Sequence, residues 1–246
     1  MELRKEHWTQ NDIEKFEKYL QTFSKGKEKA DMEKRIANTN LKTIAVPSFK
    51  IDEIVREIKK GNYFEFLDFM PWDNLSTTFI NAKLLSNIKD FEIFKSYLIK
   101  YASRCDNWAS CDTLKFNTNK NEENYFTLSK QLISSKKCFE RRIGIRILFK
   151  FLDDRHIDLV FDTIKSLKDE KEYYVNMAIS WLLCDAFIKQ KEKTFEFFKS
   201  KNLSSFCFNK AISKCFDSFR VSKLDKQKLK SLKLEIGYWN FLLCVI

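Results

Sequence analysis

The chain has 246 residues, of which 44% are apolar and 15% aromatic, enough to bury a sizeable core as one domain or at most two. Four Gly and two Pro are too few for the turns of a β-sandwich, a barrel or a nucleotide-binding α/β sheet, and leave helices with short connections. The net charge of +11 is concentrated: residues 130 to 150 carry seven Lys/Arg against Glu140, and residues 191 to 233 carry twelve against four acids.

Met1 to His7 is charged where a signal peptide would be apolar, and no apolar run approaches the length of a membrane span, so a soluble protein is expected. Seven Cys, an odd number without CxxC, fit reduced and mostly buried thiols in a cytosolic setting rather than a zinc site. His7 and His156 are the only histidines, which leaves little for imidazole-based catalysis or metal ligation. Enzymatic chemistry here would belong to a carboxylate.

In chain order, Ile13, Phe16, Tyr19, Leu20 and Phe23 follow helical spacing, as do Phe91, Phe94, Leu98 and Ile99, and no stretch alternates convincingly as a strand. The pattern predicts some twelve to fourteen helices. Breaks are expected near Ser24-Lys25-Gly26, Val46-Pro47, Gly61-Asn62, Met70-Pro71, Asp153-Asp154 and Lys201-Asn202, none long enough to be a domain linker.

A repeat emerges when helices are aligned on an aromatic followed six residues later by an aliphatic: Trp108 to Leu114, Phe139 to Ile145, Tyr173 to Ile179 and Phe206 to Ile212. A small residue (Thr113, Gly144, Ala178, Ala211) precedes each aliphatic, and the starts lie 31, 34 and 33 residues apart. Helix pairs recurring at that interval imply an all-α solenoid of HEAT-like repeats, with one row of helices lining a concave basic groove. Residues 1 to 233 are read as a single such domain, and residues 234 to 246 as an apolar tail with no assigned role.

Trp108 and Asp112, four residues apart, share a helix face and can present an aromatic plane and a carboxylate to one object. At about 100° per residue, Asp112 (offset 4), Arg142 (offset 3) and Trp181 (offset 8) fall within roughly 140° of one another around equivalent helices. Because the aromatic at offset zero recurs in every repeat, core packing is the ordinary reading of Trp108 taken alone, and of Trp181 likewise. Asp112 resists that reading, since a carboxylate on an apolar helix costs desolvation unless paired or open to a cleft.

The concentrated positive charge favours a polyanionic partner, nucleic acid first. A solvated lysine-rich surface and anionic lipid are the competing explanations.

Four stretches in order carry a resemblance: Asp106-Asn107-Trp108-Ala109-Ser110-Cys111-Asp112-Thr113-Leu114, Phe139-Glu140-Arg141-Arg142-Ile143-Gly144-Ile145, Tyr173 to Trp181, and Asn209-Lys210-Ala211-Ile212 with Ser218-Phe219-Arg220-Val221-Ser222. Over about Ala37 to Lys230 the sequence resembles the AlkD-type DNA alkylation repair glycosylases, HEAT-like-repeat proteins that excise alkylated purines. The resemblance implies a catalytic carboxylate at Asp112, cleft tryptophans at Trp108 and Trp181, and a DNA-contacting arginine at Arg142, with Arg141 the neighbouring alternative and Lys210 a further DNA contact. It departs at Phe139, where Trp is frequent, and at Ala45, where the family carries glycine.

Further expectations follow from the resemblance: excision of cationic N3- or N7-alkylated purines from duplex DNA, without base flipping, without metal or cofactor, by a cytoplasmic monomer of bacterial type that joins the nucleoid when bound to DNA. A non-catalytic DNA-binding HEAT-like protein would keep the basic stripe without depending on Asp112. A protein-interaction scaffold would need neither.

Overall fold

The computed structural model describes residues 1–233, and the apolar tail at 234–246 lies outside them. Fourteen helices and no strand occur among the described residues; an isolated backbone bridge pairs Lys42 with Asn74. The chain divides into two compact units, Met1–Asn124 and a second that begins at Tyr125.

The first unit holds α1 (Gln10–Gln21), α2 (Lys27–Ala37), α3 (Ser48–Ile58), α4 (Tyr63–Phe69), α5 (Leu75–Leu85), α6 (Phe91–Ala102) and α7 (Trp108–Thr113). Every expected break in this half falls between helices. Pro47 stands at the N-cap of α3, where its missing N–H costs nothing, and Asn62 caps α4 by accepting from the Glu65 N–H.

At the centre lies α5, against which α3, α4, α6 and α7 all pack. It is buried nearly all round, and its polar residues Ser76, Thr77, Thr78 and Asn81 are buried with Leu75, Ile80, Leu84 and Leu85. Asn81 donates to the Pro71 carbonyl at 2.7 Å, and the Thr78 and Ser110 hydroxyls meet at 2.6 Å. A helix without an amphipathic stripe belongs in a core.

The second unit holds α8 (Glu122–Ile133), α9 (Cys138–Leu148), α10 (Ile157–Lys165), α11 (Tyr173–Lys189), α12 (Lys191–Lys199), α13 (Ser205–Asp217) and α14 (Lys223–Lys230). Within it α9, α11 and α13 stand side by side in one row, with α11 between its repeat neighbours, while α10 packs on α12 and α12 on α11. This is the stacked helix pairing that a period of 34 and 33 residues predicts.

The repeat's two signature positions have opposite fates. The aliphatics Leu114, Ile145, Ile179 and Ile212 are all buried, as are the small residues Gly144, Ala178 and Ala211 that let neighbouring helices approach. The aromatics at offset zero are not core anchors: Trp108, Phe139 and Phe206 are partly exposed and Tyr173 is half-exposed. Offset zero lies at the N-terminal end of each helix, and from there the side chain leans out of the layer.

Gly144 marks the tightest approach, because a Cβ there would lie 2.8 Å from both the Ile133 side chain and the Ser129 carbonyl oxygen on α8. Helix propensity alone would make Gly144→Ala stabilising by about 1 kcal/mol. The overlap with backbone reverses the sign, and a net loss of about 1–3 kcal/mol is expected, measured by chemical denaturation.

Candidate active site and nucleic-acid interface

In the first unit, Trp108 and Asp112 are carried by α7, a helix of six residues held from outside. Asn107 caps it by accepting from the Ser110 N–H at 2.8 Å, and its amide donates to the Ser110 hydroxyl at 3.0 Å. The buried Tyr101 phenol donates toward the Thr78 and Ser110 carbonyls, each at 3.1 Å, and burial holds that phenol well above its ordinary pKa. One residue before the cap, Asp106 accepts from the Thr39 hydroxyl and the Asn40 N–H, which ties the entry of α7 to the end of α2.

The Trp108 indole N–H donates to the Ile36 carbonyl at 3.0 Å, satisfying an oxygen in the last turn of α2 that helix geometry leaves without a partner. Its ring borders a cleft of about 340 Å³ with Met32, Ile36, Val46, Pro47 and Phe79. Asp112, one helical turn on, is partly exposed. Trp108 is therefore a rim residue with a fixed orientation.

Glu33 also borders this cleft, and its carboxylate accepts from the Ala45 N–H at 3.1 Å. Ala45 has φ 51°, the left-handed region, which costs a non-glycine residue about 1–2 kcal/mol. The backbone at Ala45 thus holds a glycine-type conformation, fastened by the Glu33 bond.

In the second unit, Trp181 on α11 is 54% exposed, so it is not a core residue, and the Lys214 ammonium of α13 stands 4.9 Å from its ring centroid. Lys210 is exposed beside the Phe206 ring at 5.7 Å. The offset-zero aromatics join into a chain along the helix N-termini: Phe139 meets Tyr174 at 5.6 Å, Tyr174 meets Tyr173 at 5.2 Å, and Tyr173 meets Phe206 at 6.1 Å.

Both residues of the arginine pair are engaged within the chain. Arg142 is only 5% exposed, and its guanidinium donates to the Tyr174 carbonyl at 2.6 Å. Arg141 is gripped by both oxygens of Glu170, at 2.7 and 3.0 Å, and by the Ser135 and Lys136 carbonyls, each at 3.0 Å. Glu170 in turn accepts from the Lys171 and Glu172 N–H groups just before α11. Both arginines fasten α9 to the start of α11.

Lys214 was the residue most easily missed. It lies at offset 8 in the Phe206 repeat, the position Trp181 occupies in the Tyr173 repeat, so the register that drew attention to Trp181 also contained its neighbour. Arg220 and Asp185, which pair at 2.7 Å, leave no comparable signal, because that contact links a turn to a helix 35 residues away.

The layered helices, the partly exposed Trp108 and exposed Trp181, and the carboxylate on α7 define an all-helical repeat protein that presents aromatic and ionic groups on its surface. The family model described as DNA alkylation repair enzyme matches residues 16–215, and the chain belongs to that family. It is accordingly an enzyme of alkylation repair, with DNA as its substrate. No curated protein matches the chain. No helix among the described residues is long and apolar enough to cross a membrane.

Burial raises the Glu33 carboxyl above its ordinary pKa of 4.5, and the Ala45 N–H offsets only part of that effect. A raised folded-state pKa means that ionised Glu33 opposes folding, so the penalty is absent below the unfolded pKa and grows as pH rises through the folded one. Glu33→Gln, which keeps an acceptor for Ala45, should melt higher than wild type at about pH 8 and match it at about pH 4. Paired thermal melts at the two pH values check the sign.

Proposed function

We propose that the protein is a DNA glycosylase that excises positively charged N3- or N7-alkylated purines from duplex DNA, the first step of base excision repair. The observation that carries this reading is on α7: Trp108 sits at the rim of a cleft with its indole locked to the Ile36 carbonyl, and the partly exposed Asp112 follows one turn later on the same helix face. An aromatic plane fixed beside a carboxylate suits a reaction in which positive charge develops on a sugar.

A purine alkylated at N3 or N7 already carries positive charge and leaves readily. The enzyme then has to stabilise the oxocarbenium-like sugar and direct a water to C1′, and one carboxylate serves both purposes. Asp112 is assigned that role. The face of Trp108 attracts the developing cationic character through its quadrupole, and Trp181 is assigned a separate aromatic contact to the DNA.

Of the three expected DNA contacts, the exposed Lys210 is assigned to phosphate. Arg142 and Arg141, tied to Tyr174 and Glu170, are assigned to positioning the helices that bear the aromatic residues. Selectivity comes from the lability of the cationic lesion rather than from a pocket for a flipped base, so neutral lesions are poor substrates. The enzyme acts as a monomer, and a cytoplasmic setting on the nucleoid fits this substrate.

Release of 7-methylguanine from methylated duplex DNA by the purified protein tests the activity. Asp112→Asn should reduce single-turnover excision to near background while DNA affinity holds, because the lost interaction is made only in the transition state. Undiminished excision by that variant would remove Asp112 from the chemistry.

Trp108→Ala and Trp181→Ala should each lose activity on a cationic lesion. Because neither side chain is sealed in a core, the stability loss should fall short of the about 3–5 kcal/mol of a buried Trp→Ala. Thermal unfolding measured beside excision separates the two effects.

A further inference from the structure

The turn between α13 and α14 is held at both ends and pushes two residues outward. Ser218 accepts the Arg220 N–H at 3.2 Å, and Val221 is buried. Ser222 caps α14 by accepting from the Asp225 N–H at 3.1 Å, and its hydroxyl bonds the Asp225 carboxylate at 2.7 Å. That carboxylate, which also pairs with Lys191 at 3.1 Å, is held below its usual pKa by the Ser222 bond first and Lys191 after it. With 218, 221 and 222 anchored, Phe219 is fully exposed (103%) and the Arg220 side chain is 63% exposed.

Arg220 does not wander from this turn. Its guanidinium donates to Asp185 at 2.7 Å, and Asp185 lies one helical turn beyond Trp181 on the same face of α11. From α13 the Lys214 ammonium reaches over the Trp181 ring at 4.9 Å, steadied by Asp217 at 3.8 Å. One cation thus stands over the exposed tryptophan, and a second is held by Asp185 one helical turn along the same face of α11.

An exposed ion pair such as Arg220–Asp185 contributes little to stability. It does orient a planar five-donor fork on a side chain that stays 63% exposed, and such a fork suits phosphate.

We propose that Arg220 and Lys214 form a phosphate clamp for duplex DNA along the α11 face that carries Trp181 and Asp185, with Phe219 in apolar contact with the adjoining sugar edge. Resting on the DNA-glycosylase reading above, the clamp supplies a backbone grip from side chains at the surface, where Arg142 is buried and Arg141 is bound to Glu170. The surrounding residues 191 to 233 carry a net +8, which complements a polyanion. Cations interleaved with exposed aromatic faces suit a sugar–phosphate chain better than an acidic peptide.

Asp185 makes the clamp testable by sign. A phosphate approaching Arg220 must come close to the Asp185 carboxylate, so removing that charge strengthens binding while removing Arg220 weakens it. The experiment is a titration of fluorescent, undamaged duplex DNA across a salt series, with thermal melts of each variant. Arg220→Ala and Lys214→Ala should each weaken binding by about three- to tenfold for all sequences alike and lower the salt slope by about one.

Arg220→Lys should keep most of the affinity, Asp185→Asn should tighten binding, and Phe219→Ala should weaken it without changing the salt slope. If wild type binds with a steep salt dependence while Arg220→Ala and Asp185→Asn leave affinity unchanged, or both weaken it alongside a lower melting temperature, the pair is structural and the clamp is wrong while the DNA reading stands. A wild-type protein whose affinity hardly responds to salt overturns both.

Discussion

A helix of six residues is far too short to persist in water by itself, so the placement of Trp108 and Asp112 depends on the buried hydrogen-bond cluster of Asn107, Ser110, Thr78 and Tyr101. Isolated helices are marginal below about 12–15 residues. Here the cap and first turn of α7 are held by buried groups that would be costly to leave unpaired. The central helix α5 pays for this arrangement by carrying polar residues into the core, where a purely apolar helix would have packed more simply.

The second unit solves the same problem by repetition. Helices at intervals of 34 and 33 residues present the same offsets along one row, so an aromatic chain, an exposed tryptophan and a lysine beside it arise from one packing geometry used three times. Arginines inside that row are absorbed in joining helices. The cations left for a ligand come from α13 and from the turn that follows it, and among the described residues no further helix of the row follows α13.

Much of the fold and part of the site were legible in the sequence. Helical class, the break points, the repeat register and the shared face of Trp108 and Asp112 all depend on spacing within about one helical turn, and such local geometry survives folding unchanged. Burial was less legible. The recurring aromatic suggested a core position, yet it lies at the N-terminal end of each helix, beyond the aliphatic layer that closes the core. Arg142 drew its DNA-contacting role from the family resemblance; its bond to the Tyr174 carbonyl, 32 residues away, is something no local pattern announces.

By itself the sequence determined an all-α chain, its period, the concentration of positive charge and the pairing of an aromatic with a carboxylate on α7, because each is a property of residue order along a helix of known pitch. Only the tertiary structure decided that Trp108 is fastened to Ile36, that Arg141 and Arg142 bind their own chain, that Ala45 carries a left-handed backbone, and that Arg220 meets Asp185. Those outcomes turn on which groups distant in sequence come within hydrogen-bonding distance, and that is set by how helices pack rather than by the order of residues within them.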